Sequence, residues 1–127
     1  MKSEQKKSPR LLESDIQTQI VALLSLHSHK NHYLFFSVPN ERDLSASGNR
    51  FAKINKLKKM GLTSGVADLV IVKNGQAYFM EVKTPTGIVS DNQRWFMSNA
   101  ASVGAHYAIV RSYEEAIKVL TAWGIFT

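Results

Sequence analysis

Asp68, Glu81 and Lys83 stand near the outer ends of the stretch VADLVIVKNGQAYFMEVK, which runs from Val66 to Lys83. Two carboxylates and an ammonium beside apolar runs are costly unless they are paired, solvated or bound to a cation. Two readings follow from the residue types: a structural ion pair, or a centre that works on a charged substrate. Lys83 alone accounts for one acid and leaves the second without a cause. Carboxylates directly opposed across two strands repel, and a cation between them reverses the sign. Magnesium suits that place, because it takes oxygen ligands and is often held by one or two carboxylates.

The elements that must position these groups are legible around Asn74-Gly75. This dipeptide is a strong hairpin signal, since both central residues of a type I′ turn need positive φ. A two-residue loop sets the register: Lys73 opposes Gln76, Val72 opposes Ala77, Val70 meets Phe79, Leu69 meets Met80, and Asp68 meets Glu81. Strand side chains alternate, so Lys83 joins the face of the two acids and Val82 points to the other.

Elsewhere, Leu12, Ile16, Ile20, Leu23 and Leu24 recur at helical spacing, which predicts a helix over 12–29. Its start has two candidates: a Ser8 cap with Pro9 at the first position, or a capping box from Ser14 to Gln17. Tyr33 to Val38 reads as a strand ended by Pro39-Asn40, with a Ser/Gly-rich loop over 41–48. Asn49 to Met60 reads as a second helix with Phe51, Ile54 and Leu57 as its stripe and Gly61 as its stop. A third helix spans 90–103, with Ser90 and Gln93 at capping-box spacing and Gly104 after it. A strand over 105–110 and a helix from Ser112 to about Trp123 complete an α-β-α-β-β-α-β-α order. That order predicts an α/β domain around a mixed sheet.

The chain has 127 residues, 44% hydrophobic and 20% charged, values of one ordinary globular domain. The expected division is a basic, disordered tail over 1–10 and a single domain over 11–127. No segment has the length of a membrane span, no signal peptide is visible, and no cysteine is present. A cytoplasmic protein is expected. The net charge of +6 favours polyanionic partners through long-range attraction and counterion release.

Gly65-Val66-Ala67-Asp68, twelve intervening residues, and then Glu81-Val82-Lys83-Thr84-Pro85 resemble the PD-(D/E)XK nuclease superfamily, and within it the VRR-NUC (virus-type replication-repair nuclease) family. Glu13, Pro39-Asn40, Gly87 to Ser90, Gln93, and Gly104 leading to Val110-Arg111-Ser112 extend the likeness over roughly 12–117. Ala67 departs from it, standing where such proteins often carry proline. The resemblance implies a restriction-endonuclease-like core with a central four-stranded mixed sheet flanked by helices. It implies a metal-dependent endonuclease cutting DNA phosphodiester bonds, structure-specific for branched, flap or four-way junction DNA, acting as a homodimer. Magnesium would be the cofactor, with manganese substituting. Asp68, Glu81 and the Val82 carbonyl would bind the metal, with Glu13 as an accessory acid from the first helix. Lys83 would orient or activate water, or stabilise charge on the phosphate. Gln93 would reach the site from the third helix. A restriction-like or RNA-directed nuclease with the same core, and an inactive nucleic-acid-binding module, are the rival readings.

Some residues read two ways. Glu13 also fits as a favourable acid near a helix N-terminus. Gln93 also fits as the capping partner of Ser90, and one side-chain conformation is expected to serve only one of these roles. Lys53, Lys56 and Lys59 form either a solvated helix face or, with Arg42 and Arg50, a phosphate-binding rim. His27, His29, His32 and His106 lack ligand spacing. Trp95, Trp123, Tyr33, Phe35 and Phe36 are expected in the core.

Overall fold

Asn74 and Gly75 adopt φ values of 52° and 74°, the two positive values that a type I′ turn requires. They join β2 (Leu69–Lys73) to β3 (Gln76–Val82). The pairs are those expected from the turn, from Lys73 with Gln76 to Leu69 with Met80. The computed structural model describes residues 12–39 and 49–126. The expected tail over 1–10, the Ser8-Pro9 helix start, Asn40, the loop over 41–48 and Arg42 lie outside these residues, as does the side chain of Arg50.

Around the hairpin lie α1 (Glu13–Asn31), β1 (Leu34–Ser37), α2 (Arg50–Lys59), α3 (Asp91–Ser102), β4 (His106–Val110) and α4 (Tyr113–Ala122). The sheet order is β1-β2-β3-β4. β1 and β2 are antiparallel, as are β2 and β3, whereas β3 and β4 run parallel and are connected through α3. This is the expected mixed four-stranded sheet.

Alternation along the strands divides the sheet into two unlike faces. One carries Leu69, Ile71, Met80, Val82 and Val110, all fully buried. α1 and α4 cover it with Ile16, Ile20, Leu24, Ala116 and Leu120. Each large aliphatic side chain buried there contributes about 1.5–3 kcal/mol relative to exposure. Tyr33 closes one end, and its hydroxyl donates to the Leu24 carbonyl at 2.6 Å.

The opposite face carries Val70, Phe79, Tyr107 and Glu81, and α3 packs over its β3–β4 half. Phe96 of α3 meets Phe79 edge-on, with ring centroids 5.1 Å apart. On that face Leu34 and Phe36 of β1 are exposed, whereas Val70 of β2 is buried. The expectation of a core role therefore fails for Phe36. It also fails for Trp95, which is 58% exposed; on α3 it directly precedes the inward-facing Phe96 and so points away from the sheet. Tyr33 is buried, and Phe35 and Trp123 pack against the core. The apolar stripe of α2 is likewise incomplete. Ile54 and Leu57 are half-buried, but Phe51, in the first turn, is 80% exposed.

The start of α1 differs from the expected Ser14 box. Leu12 is the N-cap residue, and the Asp15 carboxylate accepts its N–H at 3.2 Å. Ser14 lies inside the helix, where its carbonyl accepts the Thr18 hydroxyl. The other caps follow the sequence. Asn49 accepts Ala52 N–H, Ser90 accepts Gln93 N–H, and Ser112 accepts Glu115 N–H.

Candidate active site

At the end of the β2–β3 ladder the chain stops pairing strand to strand and begins to bond through side chains. The Asp68 backbone carbonyl accepts Val38 N–H at 2.9 Å. Its carboxylate Oδ2 accepts Val82 N–H at 2.8 Å, so Asp68 clamps the opposing strand where a further ladder bond would fall. This fixes the acid beside Glu81, close enough for the charge of one to act on the other. Val82 points into the core, as alternation requires, and Lys83 emerges on the acidic side.

Glu81 is 4% exposed. Burial, the Asp68 charge and the Asp68 hydrogen bond push its carboxyl up to about 8, with the Lys83 ammonium pulling the other way. Two carboxylates this close favour one neutral member, since a second negative charge meets both a low dielectric and a like charge. A cation at the pair relieves both costs.

Gln93 bears directly on this pair, and here the structure overturns an expectation. The capping role and the site role do not exclude each other. Gln93 Oε1 accepts Ser90 N–H at 2.9 Å, completing the capping box. The same amide's Nε2 donates to Glu81 Oε2 at 2.7 Å. A carboxamide has an acceptor end and a donor end, so a single conformation joins the start of α3 to the buried acid.

The backbone leading into Asp68 is held equally closely. Gly65 has φ of 83°, and an added Cβ would run into the Asn92 carbonyl at the head of α3. Only glycine supplies both the conformation and the space. On the far side, Lys83 N–H donates to the Val110 carbonyl at 2.9 Å. Arg111 Nη1 then donates to the carbonyls of Thr84 and Gly87, both at 2.8 Å. This guanidinium ties down the turn that follows Lys83. Its backbone-clamping role had no signal in spacing, because carbonyl acceptors are common to every residue.

Asp68, Glu81, Lys83 and Gln93 line a cleft of about 650 Å³ that also includes Glu13, Pro39, Gly65 and Ile88. Asp68, Glu81, Lys83, Gln93 and Glu13 are therefore gathered at one site. Glu13 stands at the cleft wall as the first residue of α1 and is exposed. Among the described residues no three acids or histidines crowd a single point. The donor set for a cation is thus the Asp68–Glu81 pair, with room for further oxygen ligands in an open cleft. Such a set fits magnesium, which keeps several waters. Lys53, Lys56 and Lys59 are exposed on α2 and lie outside the cleft lining. The chain that follows α2 returns to the cleft through Gly61 to Val66.

A family model described as VRR-NUC domain matches residues 12–114. Two solved structures share the fold. One, titled "VRR_NUC domain", has a TM-score of 0.58 at 18% identity and covers 87% of this chain and 96% of its own. The other, titled "VRR_NUC domain protein", has a TM-score of 0.61 at 18% identity and covers 91% of this chain and 90% of its own. No curated protein matches the chain. No described helix is long and apolar enough to cross a membrane.

Proposed function

Because this chain belongs to the VRR-NUC domain family, a nuclease-type family, we propose that it is a metal-dependent endonuclease that hydrolyses DNA phosphodiester bonds. The observation that carries this reading is the juxtaposition of half-buried Asp68 with buried Glu81, braced by Val82 N–H and Gln93 Nε2. A purely structural pair gains nothing from two acids held together, whereas a cation site needs them so.

Asp68 and Glu81 would hold magnesium or manganese, with the Val82 carbonyl as a further ligand and Glu13 approaching from the wall. The ion would supply a Lewis acid and lower the pKa of bound water. The ammonium of Lys83, on the same side as the acids, stabilises negative charge developing on the phosphate, or orients the attacking water. Gln93 keeps Glu81 in place while the acid carries charge. Lys53, Lys56 and Lys59 of α2 are the proposed basic rim for the DNA backbone, where positive charge and proximity suffice. Branched, flap or four-way junction DNA is the proposed substrate class, and a homodimer would present paired sites to two strands.

The test is cleavage of duplex, single-stranded, flap and four-way DNA, and of RNA, with magnesium and with manganese. Wild-type protein is expected to cut branched DNA only with the metal. Lys83→Ala is expected to lose about 10²–10³ of the rate while keeping its fold. Equal behaviour of wild type and Lys83→Ala would overturn the catalytic reading. Preferential cutting of RNA would move the substrate class.

A further inference from the structure

Two tyrosines bury their hydroxyls in this molecule, and they differ in one respect. Tyr33 spends its hydroxyl on the Leu24 carbonyl. The hydroxyl of Tyr107 is buried and has no partner, the only such side-chain atom among the described residues. An unpaired buried hydroxyl costs about 1–3 kcal/mol, so its place in the fold calls for an account.

Tyr107 lies on β4 opposite Phe79, and two residues further along Ile109 lies opposite Glu81. Alternation therefore puts Tyr107 on the same sheet face as Glu81, diagonal to it across adjacent strands. Adjacent strands lie about 4.7–4.9 Å apart, so this diagonal is within reach of a long aromatic side chain. The ring is confined between Phe79 and Phe96, with centroids 6.5 Å and 6.0 Å away. Burial is the main cause that pushes the phenol pKa up, and the charges of Glu81 and then Asp68 push it further. The hydroxyl thus sits within the field of both acids and stays a neutral donor.

The acids have fixed partners on their other sides. Asp68 Oδ2 is taken by Val82 N–H and Glu81 Oε2 by Gln93 Nε2. A divalent cation shared with Asp68 calls for a charged Glu81, and a buried charge is stable only when well supplied with donors.

We propose that Tyr107 is a positioning residue of the carboxylate pair, its hydroxyl donating to Glu81 when the pair turns to a divalent cation. The inference rests on the metal-site reading and adds a residue to it.

The experiment is calorimetric titration of the full chain with manganese chloride, without nucleic acid, for wild type and Tyr107→Phe. Thermal melting of each metal-free protein accompanies it. Tyr107→Phe is expected to weaken manganese binding about tenfold, the scale of one hydrogen bond to a charged group. Its metal-free melting temperature is expected to hold or rise, because an unpaired hydroxyl has been removed. Equal manganese affinity in the two proteins would overturn the role of Tyr107 and leave the metal site standing. A parallel loss of metal-free stability and affinity would reduce Tyr107 to packing. No manganese binding by wild type would overturn the metal reading and this inference with it.

Discussion

The two faces of the sheet are built from the same strands and follow opposite rules. On β3, Met80 and Val82 are fully buried among aliphatic side chains of α1 and α4. Glu81, between them, points the other way and is almost as deeply buried, yet its neighbours are Asp68 and Gln93. One residue of offset separates the side chains that hold the domain together from those that hold charge. The lesson is that the stable face supplies rigidity for the other. Met80 and Val82 anchor the strand so that Glu81 has little freedom to withdraw from Asp68.

Substituting adjacent residues of β3 should break this contrast most sharply. Met80→Ala is expected to cost about 2–5 kcal/mol of stability through lost burial and a cavity, read by denaturant unfolding. Glu81→Gln is expected to abolish metal-dependent cleavage and to stabilise the metal-free protein at alkaline pH. The sign follows from the raised carboxyl. A Glu81 that keeps its proton to about pH 8 when folded binds more protons than it does unfolded. Its contribution is fully present below the ordinary glutamate range and is lost as pH rises through about 8. Wild type without metal should therefore lose stability over that window, and manganese should restore it. Glu81→Gln should show neither effect. A flat profile in wild type would mean that the acids are not coupled as described.

Gln93→Ala should have an intermediate effect, because this residue serves both the helix and the acid. Losing its half of the capping box should lower stability by about 0.5–2 kcal/mol. Losing the donor to Glu81 should weaken manganese binding as well. Gln93→Glu is a useful comparison, since it keeps the capping acceptor and puts an acid where the donor stood. Its stability loss should be the smaller, and its metal-free pH dependence the steeper. If Gln93→Ala alters stability alone, the bond to Glu81 is incidental.

The smallest effect on the fold should come from α2. Replacing Lys53, Lys56 and Lys59 with Gln is expected to leave the melting temperature nearly unchanged. In the rim reading, DNA affinity falls, and the slope of log affinity against log salt drops by about 0.9 for each phosphate that is no longer neutralised. An unchanged slope would return these lysines to the role of a solvated surface.

How much of this was legible in sequence depended on the range of the interaction. Asn74-Gly75 fixes register locally, so the juxtaposition of Asp68 and Glu81 followed from counting. The caps at Asn49, Ser90 and Ser112 are equally local. The double use of Gln93 was not legible, because it depends on which way one amide points after α3 has docked on the sheet. The exposure of Trp95 and Phe36 was hidden for a related reason. An apolar residue shows a preference for burial, but only the extent of α3 over the sheet decides which positions are covered. Arg111 was visible as part of a resemblance and mute as to its role. Tyr107 gave no signal, since its significance lies in what its hydroxyl lacks.

Arg111 has a consequence for how the molecule comes into being. The two acids are already in the chain by residue 81, and Lys83 follows at once. Their support arrives later: Gln93 from α3, the Val110 carbonyl that takes Lys83 N–H, and Arg111 that closes the turn over 84–87. A chain growing from its N-terminus thus carries the two acids and the lysine well before it can hold them in place. Synthesis has to pass residue 111 before the site is assembled, so an unfinished chain has the chemistry in its sequence but no framework on which to use it.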